Sequence, residues 1–227
     1  MKRGKALAKL MFLTIGFSAA GTVQAGQIIQ MLGGSAGFAD GSTTARVGTW
    51  NTDTAGNVAP FNGYIGSDVS GPNFSASWQF SYGNLTDTII SATLALGIYD
   101  IDSAATGNQV ASYTEGANDL TAPLNAVSEG LHGSTGAVRN EYDILTITLP
   151  GSTFADLALG DPTFALQLQG PGLGALGNTP FDGAGIDFST ITINTQPLVS
   201  PTPEPAAWQL LAAGIAGLAG RKWLRKA

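Results

Sequence analysis

Apolar and polar residues alternate with a period of two through most of the middle of the chain. In Asp87–Tyr99, Ile90, Ala92, Leu94, Leu96 and Ile98 fall on one side, and Thr93, Ala95, Gly97 and Tyr99 on the other. Tyr142–Leu149 sets Asp143, Leu145, Ile147 and Leu149 against Tyr142, Ile144, Thr146 and Thr148. In Phe164–Gln169, Phe164, Leu166 and Leu168 face one way. In Ile186–Asn194, Asp187, Ser189, Ile191 and Ile193 oppose Ile186, Phe188, Thr190 and Thr192. Ala45–Trp50, Ser75–Tyr82 and Gln109–Tyr113 are shorter runs of the same kind. Successive side chains on a strand point to opposite faces, so the pattern predicts about seven strands.

Clusters of Gly, Pro, Asn and Asp bound these runs, and the 25 glycines between residues 26 and 200 supply turns. No body segment of a dozen residues keeps a convincing helical period. Residues 114–140 and 170–185 therefore predict long connections, and 26–45 a short first strand or a loose arm. The expected fold class is all-β: an antiparallel β-sandwich, jelly-roll-like, with a barrel as the alternative. Trp50, Phe61, Tyr64, Phe74, Trp78, Phe80 and Tyr82 crowd one region. Core packing is the favoured reading, because Trp78, Phe80 and Tyr82 share a strand face. An exposed set would instead offer rings for stacking on sugars.

Charge divides the chain into three. Eight of the ten Lys and Arg residues lie in the first nine and last seven positions, which leaves Arg46 and Arg139 for residues 26–200. The same stretch holds 15 of the 16 acids. A body this acidic cannot bind nucleic acid by releasing counterions from phosphates. The chain has no cysteine, which excludes disulfides, thiolate metal sites, a cysteine nucleophile and cysteine-linked lipid.

Residues 1–25 have the form of a secretory signal peptide. Lys2, Arg3, Lys5 and Lys9 make the basic region, Leu10–Ala20 the apolar run, and Val23-Gln24-Ala25 the small-residue cleavage site. Cleavage is expected between Ala25 and Gly26. At the other end Pro201, Pro203 and Pro205 form a stiff stalk. An uncharged stretch runs from Ala206 to Gly220. Arg221, Lys222, Arg225 and Lys226 then form a stop-transfer cluster. Basic residues favour the cytoplasmic side, so both ends are expected to stay there while the acidic middle is translocated.

The triplet Pro203-Glu204-Pro205, the short hydrophobic helix expected at about 206–220 and the terminal basic cluster resemble, in that order, the PEP-CTERM sorting signal of Gram-negative bacteria. The resemblance covers residues 201–227, with the signal peptide at the opposite end, and says little about the body at 26–200. It implies processing by an exosortase, a membrane transpeptidase-like protease, after export by the Sec translocon and signal peptidase. It also implies transient anchoring in the inner membrane through a transmembrane helix. Release to the cell surface or medium follows, often alongside exopolysaccharide.

Candidate chemistry in the body is sparse. His132 is the only histidine, in Gly130-Leu131-His132-Gly133 near Ser128 and Ser134, with no nucleophile elbow. It reads as a loop residue. Asp100-Ile101-Asp102 closes the longest run, Asp182 and Asp187 flank a Gly-Ala-Gly segment, and Glu141 and Asp143 open another strand. Strand-end acids and carbonyls suit calcium, which takes several hard oxygens. Asp100 and Asp102, with Asp182 or Asp187, are the possible ligands. The alternative is that these acids satisfy turn amides and keep the protein soluble. The expected protein is a non-catalytic, monomeric, exported surface or matrix protein. The alternative is a carbohydrate-binding module, possibly calcium-stabilised, in the exopolysaccharide layer.

Overall fold

The computed structural model describes residues 26–34, 37–43, 46–101, 108–132, 139–174 and 177–198. The signal segment, the PEP-CTERM-like tail and Asp102 lie outside them. Among the described residues no helix is long and apolar enough to cross a membrane.

Eleven strands and three α-helices are described, with one turn of 3-10 helix at Gly151–Thr153. The strands are β1 (Gly26–Gly33), β2 (Tyr64–Ile65), β3 (Ser75–Gln79), β4 (Thr88–Tyr99), β5 (Val110–Glu115), β6 (Asn118–Asp119), β7 (Tyr142–Thr148), β8 (Thr163–Leu168), β9 (Gly172–Gly174), β10 (Gly177–Thr179) and β11 (Ala184–Gln196). The helices are α1 (Val47–Thr54), α2 (Thr121–His132) and α3 (Phe154–Leu159). Two antiparallel sheets face each other as a sandwich, so the barrel alternative is not realised. Sheet A has the order β1-β11-β4-β7, with β2 beside the start of β11, and sheet B the order β3-β8-β5-β6. A small hairpin, β9-β10, stands apart.

The inner faces follow the alternation. Ala92, Leu94, Leu96 and Ile98 of β4, Leu145 and Ile147 of β7, and Ile191 and Ile193 of β11 meet Trp78, Tyr113, Phe164, Leu166 and Leu168 of sheet B. Burying each large side chain contributes roughly 1.5–3 kcal/mol.

Two bulges break the expected phase. The β4–β11 register slips between Asn194 and Thr195, so Ile89 is 8% exposed and Ile90 53%. Ile90 therefore leaves the face that the alternation assigned it. A second slip between Ile186 and Phe188 sends Ile186 into the core with Ile191 and Ile193. An extra residue in one strand reverses the faces of everything beyond it.

Four segments differ from expectation, one of them the connection at 170–185, which contains the β9-β10 hairpin. Residues 26–33 form a full strand paired with β11, not a loose arm. The strand expected at Ala45–Trp50 is mostly helix α1, with Thr52 and Thr54 hydroxyls donating back to the Gly48 and Trp50 carbonyls. It lies against the outer face of sheet A, where Trp50 finds its partners. The connection at 114–140 contains β6 and α2. Leu120 and Leu124 are buried and Val127 packs beside them, a spacing of four and three that brings side chains to one helix face. Asp119 Oδ1 accepts the Thr121 N–H at 2.9 Å and starts the helix. His132 closes this helix and is not a loop residue.

Candidate functional site

The acids singled out by the sequence gather at one pole of the sandwich, where β4 ends and β7 and β11 begin. Asp100 follows β4 with φ +62°, and Asn140 precedes β7 with φ +58°. Asp and Asn tolerate this left-handed region better than most residues. The two face each other: Asn140 N–H donates to Asp100 Oδ1 at 2.7 Å, and Asp100 N–H donates to the Glu141 carbonyl at 2.7 Å. Tyr99 hydroxyl donates to Asn140 Oδ1 at 2.8 Å, which fixes the same turn.

The hydroxyl of Tyr64 lies 2.9 Å from Asp68 Oδ1 and 3.1 Å from Asp100 Oδ2. One O–H has one proton to donate, so it serves only one of two carboxylates. Burial, then the neighbouring charge of Asp68, pushes the Asp100 carboxyl up to about 6. The Asn140 amide, the Tyr64 hydroxyl and the Arg139 charge oppose the rise. Protonated Asp100 can donate to the Tyr64 oxygen while Tyr64 donates to Asp68, which gives a two-acid chain joined through a phenol. The Tyr64 phenol is held far above its ordinary range by burial and by both carboxylates. Asp68 also accepts the Gly183 N–H at 2.8 Å.

Asp182 and Asp187 are buried at the same pole. Asp182 N–H donates to Asn73 Oδ1 at 3.0 Å, and Tyr142 hydroxyl donates to Asp187 Oδ2 at 3.3 Å. Glu141 and Asp143 are buried beside them. Among the described residues no group of three acidic or histidine side chains is arranged to hold a metal ion. The contacts of Asp100 lead to Asp68 through Tyr64; Asp187 instead meets Tyr142. Sequence reasoning took Tyr64 only as one ring of an aromatic cluster and passed over Asp68 and Asn140. The only signal was a tyrosine four residues before an aspartate in a Gly/Ser turn.

An aromatic layer covers this pole on the outer face of sheet A. Trp50 of α1 stacks on Tyr99 at 4.8 Å and on Phe38 at 5.2 Å, and Tyr142 leans against both Trp50 and Phe38. Two glycines make room. A side chain at Gly185 would strike the Trp50 indole, and one at Gly97 would strike the Tyr142 hydroxyl. Gly183 is likewise needed under Tyr64, whose hydroxyl lies 2.7 Å from where its Cβ would be. The Asp-Gly-Ala-Gly run at 182–185 is therefore a pair of aromatic seats as much as a source of carboxylates.

Of the seven aromatics between 50 and 82, five are buried and Tyr64 and Tyr82 half-buried. Core packing is what they do. Elsewhere, Glu115 and Asp156 share the Asn118 amide at 3.0 and 3.4 Å. Burial first, then the Asp156 charge, pushes Glu115 up to about 7. On the outer face of sheet B, Ser75, Ser77, Ser112, Ala165 and Gln167 line an uncharged trough of about 310 Å³.

No protein-family model matches the chain, and no curated protein matches it in sequence.

Proposed function

We propose that this chain is a non-catalytic exported protein whose jelly-roll body is carried to the cell surface or beyond by a PEP-CTERM-type tail that an exosortase removes. Numbering the eight sandwich strands along the chain, the order is 1-8-3-6 in one sheet and 2-7-4-5 in the other, which supports the jelly-roll reading.

The observation that carries the sorting reading is the tail itself, Pro203-Glu204-Pro205 followed by an uncharged run and the basic end, and the register of β1 with β11 is compatible with it. Gly26 stands opposite Thr195, so the first and last strands begin and end at one pole. The points at which the body joins these two segments are therefore close together, which suits a chain directed to one bilayer at both ends. The Tyr64–Asp68–Asp100 pole lies at the far end of the same strands. Replacing Pro203, Glu204 and Pro205 with alanine is expected to leave a larger, membrane-retained form in cell fractionation. Unchanged processing and release would refute the assignment. Removing Arg221, Lys222, Arg225 and Lys226 should let the tail slip across the membrane.

The second reading is a carbohydrate-binding body, and the trough on sheet B favours it. Its lining offers hydroxyls and an amide without charge, which suits a neutral polysaccharide. Affinity electrophoresis in gels containing dextran, mannan or hydroxyethyl cellulose should retard the protein. Ser77→Trp, which fills the trough, should abolish the retardation.

A further inference from the structure

The cavity at the tail-bearing pole has a volume of about 260 Å³, and its lining includes Gly26, Asn84, Leu85, Thr86, Asp87 and Thr195. Gly26 is the residue expected to become the N-terminus. A Cβ there would lie 2.7 Å from Thr195 Oγ1 and 4.0 Å from Asp87 Oδ2. The first distance means that a side chain here would have to displace the Thr195 hydroxyl. The second brings a carboxylate close to the backbone of that residue. No lysine or arginine lines the cavity, and the only two in residues 26–200 lie elsewhere: Arg46 leads into α1, and Arg139 is beside Asp100.

We propose that removal of the signal peptide creates the partner of Asp87: the new α-ammonium of Gly26 binds this carboxylate and pins the first residue of β1 to the start of β4. The inference rests on the expected cleavage after Ala25. Hydrolysis breaks the Ala25–Gly26 peptide bond, with water giving its oxygen to the Ala25 acyl carbon and its hydrogen to the Gly26 nitrogen. A neutral amide becomes an amine that is protonated at neutral pH. Before cleavage Asp87 faces a peptide; afterwards it faces a cation in a body with almost no others. The consequence is mechanical. β1 pairs with β11 alone, and chain ends at an edge fray unless tied down. Thr195, near the end of the strand that leads to the tail, pairs with Gly26 and lines the same cavity as Asp87. Processing at one end of the chain therefore fastens the sheet edge beside the other end.

The sequence supplies a clean probe. No lysine occurs between Lys9 and Lys222, so the α-amine is the sole primary amine of residues 26–200. Exported protein is first sequenced from its N-terminus, then acylated with acetyl N-hydroxysuccinimide ester at pH 7 and followed by mass spectrometry of the N-terminal peptide. The amine should react about threefold more slowly in the wild type than in Asp87→Asn, a gap that half a unit of pKa produces. The difference should close in molar salt. Equal rates overturn the pairing and leave the cleavage reading standing. An N-terminus other than Gly26 overturns both. Should Asp87→Asn fail to fold, the wild type alone decides: acetylating its amine should lower the melting temperature at pH 6 and leave it unchanged at pH 10. No change at pH 6 refutes the proposal.

Discussion

The space between the sheets and the layer outside sheet A are both filled with aromatic rings, and they are built by different rules. Between the sheets, Trp78, Phe80, Tyr113 and Phe164 sit among aliphatic side chains at inward positions. Outside, Phe38, Trp50, Tyr99 and Tyr142 stack on one another at the outward positions of two strands and on a helix laid across them. The inner core needs only that apolar residues recur every second position. The outer layer needs three separate stretches, residues 37–43, α1 and the strand ends, to meet, with glycines at 97 and 185 left open beneath the rings. The lesson is that a strand's second face can be core too, once something covers it.

The largest effect separating the two regions should come from Phe164→Ala. Its ring contacts Trp78, Phe80 and Tyr113, so its loss leaves a cavity in the centre of the sandwich. A cost of about 3–5 kcal/mol is expected. Chemical denaturation should show the whole fold losing stability cooperatively.

The next effect belongs to the outer pole and runs through pH. Asp100 titrates at about 6 in the folded protein, against an ordinary 3.8. A carboxyl raised in this way contributes stability that is fully present below the unfolded value and is lost as pH rises through the folded one. The protein should therefore be more stable at pH 4 than at pH 7, by on the order of 2 kcal/mol from this group. Asp100→Asn should flatten that part of the profile, measured by melting temperature against pH. Glu115, raised to about 7, adds a slope of the same sign that the variant leaves in place. Millimolar calcium at pH 7 sharpens the test. If an ion bridges Asp100 with Asp68 or Asp102, it should raise the melting temperature more than magnesium does. Equal responses leave the pair as a proton-sharing chain.

The smallest effect expected is from Gly185→Ala. A methyl group there presses on the Trp50 indole and should cost about 1–3 kcal/mol by overpacking. It should shift tryptophan fluorescence while leaving the inter-sheet core intact. A neutral result would mean that α1 moves away freely, and that the outer layer is ornament to the sandwich.

The sequence by itself determined the all-β class and the inner faces of the main strands; that they form two sheets and not a barrel came from the structure. Leu94, Leu96 and Ile98, Leu145 and Ile147, and Phe164, Leu166 and Leu168 lie inward as their alternation requires, because strand geometry is local and has a period of two. The basic ends, the acidic body and the tail motif were equally plain, since they depend on order along the chain. What only tertiary structure decided is everything that depends on meeting. Helix α1 formed where a strand was expected, and it lays Trp50 flat on Tyr99 of β4, a partner that its local sequence does not announce. Helix α2 hid in a loop-like composition, though Leu120, Leu124 and Val127 carried its period. Ile90 and Ile186 changed faces at bulges, which leave no mark in composition. At the acidic pole, Asp100 found Asp68 and Tyr64, 32 and 36 residues away along the chain, and no spacing rule reaches that far. A carboxylate's partners are set by which strand ends share a pole, and the order of strands in the sheet fixes that.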